Sequence, residues 1–342
     1  MEESSALRMR RRLSVYAALA LSLSTATGLA ILVKNSLLAG TAVASLTVLL
    51  AVAVVAVAAL IAQKHMKRAG LAVQIGVIVV AVVGCFAVLV PQIAQAELYY
   101  PNQDPAASAA LASNPTMEQV NISGMYSGWF VHNADGPAPL VIFFGGNGNC
   151  ASRMVSDFDH LGYWDMTGGA NFMTIDYPGY GQSQGRPSQN SIFAMARTAY
   201  DYAASRSDVD PARIVVEGYS LGTGPATYLA SQRNVAGLVL IAPYDNGVSL
   251  YNSQFDIFHG PLTLLVTQRF DSAAYATQVA VPPLIITSTS DTTIRSALSE
   301  TLAAHFPQST DIHLLSGLGH EDYFNSSEVR ALIGAYVGGM VS

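Results

Sequence analysis

The chain of 342 residues is 51% hydrophobic and only 12% charged, with a mean hydropathy of +0.34; this excludes a wholly water-soluble protein of ordinary composition. The charge is divided: residues 1–96 carry +6 and residues 97–342 carry −12, for a net −6. So acidic a second part excludes nucleic acid as a natural partner.

The N-terminal region reads as membrane. Arg8, Arg10, Arg11 and Arg12 precede an uncharged run at 13–33, Lys34 breaks it, and a second uncharged run fills 37–62. Lys64, Lys67 and Arg68 interrupt, and a third run at 71–90 ends at Pro91. About twenty apolar residues cross the hydrocarbon core, so three transmembrane helices are expected. The first run also suits the apolar core of a signal peptide, and Ala94-Gln95-Ala96 resembles a peptidase site. The flanking basic residues put the N-terminus and the 63–70 loop in the cytoplasm. The chain after residue 90 then lies on the periplasmic or extracellular side of a bacterial inner or plasma membrane.

Residues 97–117 hold Pro101, Pro105 and Pro115 among small polar residues and read as a linker. From 118 to 342 the pattern is α/β. Strands are expected at 128–132, 140–144, 172–175, 215–216, 238–241, 284–287 and 312–315. Helices are expected at 191–205, 225–231, 295–305 and 328–337. Strands alternating with helices predict a mostly parallel sheet with helices on both faces and ligands outside the strands' carboxyl ends. Cys85 and Cys150 make no disulfide framework, and no His/Cys spacing suggests a metal site. No cofactor is expected.

Four strands end in suggestive loops. Gly145-Gly146-Asn147-Gly148 offers backbone N–H groups close approach to a ligand, or makes an ordinary tight turn. Asp176-Tyr177-Pro178-Gly179-Tyr180-Gly181-Gln182-Ser183 lines a pocket or merely turns the chain. Asp291 is placed to orient a histidine or to cap a helix. His320, in a glycine-rich loop after the last strand, is placed to reach across the sheet. His313 lies inside that strand and reads as structural.

The centre of the pattern is Arg213 to Ala230. A β-branched run leads into Gly218-Tyr219-Ser220-Leu221-Gly222 and then into helix-forming residues. That is the strand–turn–helix context of a G-x-S-x-G nucleophile elbow. Ser220 is expected in a strained conformation, with small residues at 218 and 222 letting strand and helix close around it.

With these four motifs in this order, residues 118–342 resemble the α/β-hydrolase superfamily. They are most similar to the branch with H-G-N-x-G, D-Y-x-G-Y-G-x-S, G-x-S-x-G and G-x-G-H. One departure is Gly145, where that branch has His. The resemblance implies a small cap at 243–281, where Tyr251, Phe255, Phe258 and residues 262–266 are the apolar candidates. It implies acyl transfer: Ser220 attacks, His320 shuttles the proton, Asp291 orients His320, and the N–H groups of Asn147 and Leu221 bind the oxyanion. A small-molecule or lipid-like acyl ester is the expected substrate. A serine peptidase, or a catalytically silent interaction module on the same fold, are the alternatives.

Overall fold

The computed structural model describes residues 98–167 and 169–341, which belong to one compact unit, Glu97–Ser342. The three expected spans lie outside the described residues. Among the described residues no helix is long and apolar enough to cross a membrane.

Eight strands form one sheet. They are β1 Met117–Ile122, β2 Tyr126–Val131, β3 Ala138–Phe144, β4 Asn171–Ile175, β5 Val209–Tyr219, β6 Gly237–Ile241, β7 Pro283–Ser288 and β8 Asp311–Leu315. Their spatial order is β1-β2-β4-β3-β5-β6-β7-β8. β2 pairs antiparallel with β1 and with β4, and every other pairing is parallel. β4, β6 and β7 are buried along their whole length. Continuous apolar runs are what a strand covered on both faces requires. At the edge, β8 leaves Ile312 and Leu314 exposed.

The helices are α1 Pro105–Leu111, α2 Ala151–His160, α3 Gln189–Ala204, α4 Thr223–Gln232, α5 Gly247–Phe255, α6 Ser272–Ala276, α7 Ser296–Ala303 and α8 Ser327–Val341. They pack in two groups. α2 and α8 meet the turn Tyr163–Met166, while α4 packs on α3 and α6, and α7 packs on α6. β5 separates the groups, because successive strand residues point to opposite faces. Glu217 bonds Tyr163 in the first group, and a Cβ on Gly218 would meet Ala226 on α4 in the second.

Two sequence expectations need amendment. The stretch 97–117 contains a helix, α1, capped by Asp104 Oδ1 accepting from Ala107 N–H. β1, α2, α5 and α6 are not among the expected elements. In the cap stretch, Tyr251 and Phe258 pack at 5.6 Å between ring centroids, Val266 is buried, and Leu262 and Leu264 are exposed.

Register decides what the sheet positions. Phe144 at the end of β3 pairs with Gly218, and Tyr219 pairs with Ile241. The loops leaving β3, β5 and β6 therefore emerge side by side.

Candidate active site

The site begins at the end of β5. Ser220 has φ 53°, the left-handed region that an L-residue enters at a cost of about 1–3 kcal/mol. The turn Ser220–Gly222 leads straight into α4. Its tightness explains both glycines. A Cβ on Gly218 would lie 2.5 Å from the Gly222 carbonyl oxygen, and one on Gly222 would lie 2.0 Å from that of Phe144. Thr223 Oγ1 donates to the Ser220 carbonyl at 2.7 Å, closing the turn.

Three side chains far apart in sequence meet here. His320 Nε2 is 2.8 Å from Ser220 Oγ, and His320 Nδ1 is 2.8 Å from Asp291 Oδ2. With Nδ1 carrying the proton, Nδ1–H donates to the carboxylate and Nε2 is left to accept from the serine. Asp291 is buried, and burial alone raises a carboxyl. The hydrogen bond from His320, helped by the Ile294 and Thr293 N–H groups, more than reverses this and holds Asp291 below the usual range. Asp291 orients the histidine but caps no helix, since α7 begins later, with Arg295 at its N-cap. Oδ1 holds the turn at Thr293 and Ile294, while Oδ2 holds the imidazole and accepts from Tyr323 O–H at 3.1 Å. His313 is elsewhere, with Nε2 3.1 Å from Asp311 on its own strand.

Several neighbours take bracing roles that the sequence analysis does not assign to them. Tyr219 stacks on His320, with centroids 5.3 Å apart and planes 28° apart, and its O–H donates to the His320 carbonyl at 2.6 Å. The imidazole is thus held through its ring, its backbone and Nδ1. Tyr177 O–H donates to the Gly145 carbonyl at 2.6 Å, and Tyr180 O–H donates to Asn147 Oδ1 at 2.8 Å. Asp176 Oδ1 accepts from Ala151 N–H at 2.7 Å, where α2 begins. The Asp176–Ser183 motif braces the loop after β3, and the signal for it was the pair of tyrosines in that motif.

The loop carrying Asn147 lies against the elbow. A Cβ on Gly146 would meet the Tyr219 ring at 2.9 Å, and a Cβ on Gly222 would meet the Gly145 carbonyl oxygen at 2.7 Å. Leu221, buried, sits in the turn at the start of α4. Backbone N–H groups there carry the positive end of the helix dipole and favour an anion. Cys150 is a buried free thiol, 3.6 Å from Ser152 Oγ. Among the described residues no group of three or more His, Cys, Asp or Glu is placed to hold a metal ion.

The comparisons with known proteins agree with this architecture. The sequence profile of the alpha/beta hydrolase fold matches residues 138–258. An uncharacterized protein of Mycobacterium tuberculosis is 32% identical over 229 residues, covering 66% of this chain and 79% of that one. The alpha/beta hydrolase domain-containing protein 17C of Homo sapiens is 28% identical over 193 residues, covering 56% of each chain. Among solved structures, an esterase of Pyrococcus furiosus superposes with TM-score 0.55 at 15% identity, over 71% of this chain and 99% of the esterase. A thermostable carboxylesterase from a metagenomic library superposes with TM-score 0.51 at 17% identity, over 74% of this chain and 98% of that one. At such identities the structural likeness speaks to fold alone. Profile, relatives and sheet order agree: this chain belongs to the alpha/beta hydrolase fold family.

Proposed function

We propose that this chain is a membrane-anchored serine hydrolase that cleaves carboxylic or thio esters through an acyl-enzyme on Ser220. One observation carries the reading: His320 lies 2.8 Å from both Ser220 Oγ and Asp291 Oδ2. A serine hydroxyl is a poor nucleophile until a base takes its proton, and a base oriented by a buried carboxylate is the arrangement that activates it.

Ser220 Oγ attacks the ester carbonyl carbon while Nε2 of His320 accepts its proton. The charge on the carbonyl oxygen is met by the N–H groups of Leu221 and Asn147. The imidazolium, facing Asp291, then protonates the leaving alcohol or thiol as the bond to it breaks. Water enters, gives its proton to His320 and its oxygen to the acyl carbon, and the acid leaves as Ser220 recovers its proton. The apolar residues of the cap and the N-terminal membrane region support an acyl or lipid-like ester as substrate.

A panel of p-nitrophenyl esters of rising chain length, run beside aminoacyl amides on the full chain, tests this. Ester turnover that disappears in Ser220→Ala is expected. Amide turnover without ester turnover would point to a peptidase, and neither would point to a silent fold serving as an interaction module.

A further inference from the structure

The first described residues do not hang free. They cross the loop that carries Asn147. The Leu98 carbonyl accepts from Asn147 Nδ2 at 2.5 Å, and Tyr100 N–H donates to Asn147 Oδ1 at 3.0 Å. Tyr100 N–H is also 3.0 Å from the Tyr180 hydroxyl oxygen, and that hydroxyl donates to Asn147 Oδ1 at 2.8 Å. Tyr180 itself is fully buried. An asparagine side chain offers two donors and two acceptor positions. Here Nδ2 donates once and Oδ1 accepts twice.

These partners are informative because they are distant. An asparagine that only shapes its own turn bonds to backbone one to four residues away. The partners of Asn147 lie 33 to 49 residues away in sequence.

The strap is itself anchored on separate elements. Tyr99 is buried, and its O–H donates to Gln268 Oε1 at 3.0 Å, an atom that also accepts from Gln189 N–H at 2.6 Å. The Asn102 carbonyl accepts from Gly181 N–H at 2.8 Å. Asp104 accepts from Arg153 on α2 at 2.6 Å.

We propose that Asn147 is a positioning residue: its side chain, clamped by residues 98–100 and Tyr180, fixes the direction of its own backbone N–H in the oxyanion hole. The catalytic half of this rests on the ester-hydrolase reading above. Gly146 and Gly148 flank Asn147, and Gly148 has φ 81°. Glycines give the close approach the site needs but leave the backbone the most freedom to lose. The clamp restores the stiffness that preorganised donors require. Residues 98–100, in a stretch whose composition reads as a linker, are thus part of the site.

The test uses the full chain and two variants that leave Asn147 and Ser220 in place. Tyr100→Pro deletes the strap's N–H donor, and Tyr180→Phe deletes the phenol. Hydrogen–deuterium exchange of the 145–149 backbone is expected to quicken by about tenfold or more in each. The kcat for the best ester is expected to fall by about tenfold or more with KM within about twofold, as loss of a transition-state contact requires. Unchanged exchange in both variants overturns the clamp. Faster exchange with kcat within about twofold of wild type overturns the positioning role and leaves only a structural one. If wild type turns over no ester, the ester-hydrolase reading fails separately, and the exchange result still decides the clamp. Should Tyr100→Pro not fold, Tyr180→Phe decides both.

Discussion

Ser220 sits at φ 53°, a strained conformation for an L-residue. It lifts Oγ out of the strand end toward His320. Relieving it should therefore stabilise the fold while abolishing reaction. Ser220→Gly is expected to raise stability by about 1 kcal/mol, because glycine populates positive φ without strain. Thermal unfolding measures this, and a fall in Tm would contradict the strain. Asp291 yields a second prediction at this scale. Asp291→Asn keeps the shape but favours the wrong tautomer of His320, so kcat is expected to fall by about a thousandfold to ten-thousandfold. A loss below about tenfold would show that His320 is oriented by its Tyr219 contacts instead.

At the scale of elements, β5 determines the site. Its last residues are held between β3 and β6, so the elbow cannot spread. Gly222→Ala would drive a Cβ to 2.0 Å from the Phe144 carbonyl oxygen. We expect a loss of about 3 kcal/mol, at the upper end for overpacking, measured by denaturant unfolding; an unchanged midpoint would mean the turn opens freely. β5 also buries Glu217, whose carboxylate accepts from Tyr163 O–H at 2.7 and 2.9 Å. Burial, only partly offset by the Tyr163 bond, pushes Glu217 from an ordinary 4.5 to about 7. The folded state then binds this proton more tightly than the unfolded one. The contribution is complete below the unfolded value and is lost as pH rises through the folded one, on the order of 3 kcal/mol in all. Wild type is expected to lose stability between pH 5 and 7.5, and Glu217→Gln clearly less. Equal slopes would contradict it.

Much of this was legible in the residues. The buried strands announced themselves as apolar runs at 140–144, 172–175 and 238–241. The elbow, Asp291 and His320 fell at the ends of such runs, so their convergence followed from a parallel sheet. β1 was not legible because Met117, Val120 and Ile122, its buried residues, do not keep a strict alternation. α2 was missed although Ala151, Met154, Val155 and Phe158 are buried at helical spacing; Cys150 gives it no side-chain cap to mark its start. The clamp on Asn147 was invisible because hydrogen bonds spanning 33 to 49 residues leave no local pattern.

At the scale of the whole molecule, an acidic hydrolase unit follows a basic, strongly apolar N-terminal region in one chain. If that region anchors the protein as proposed, the full chain is expected to stay with the membrane pellet after alkaline carbonate washing. Protease added from outside is then expected to cut the hydrolase unit and spare the 63–70 loop. Recovery in the wash, or the opposite cutting pattern, would contradict the anchoring or the orientation. None of this bears on the chemistry, which depends on Ser220 being the reactive atom. The direct measurement is peptide mass spectrometry of the full chain after reaction with a fluorophosphonate. One adduct is expected, on Ser220, absent in Ser220→Ala and strongly slowed in His320→Ala. An adduct on another residue, or labelling undiminished by either substitution, would contradict it.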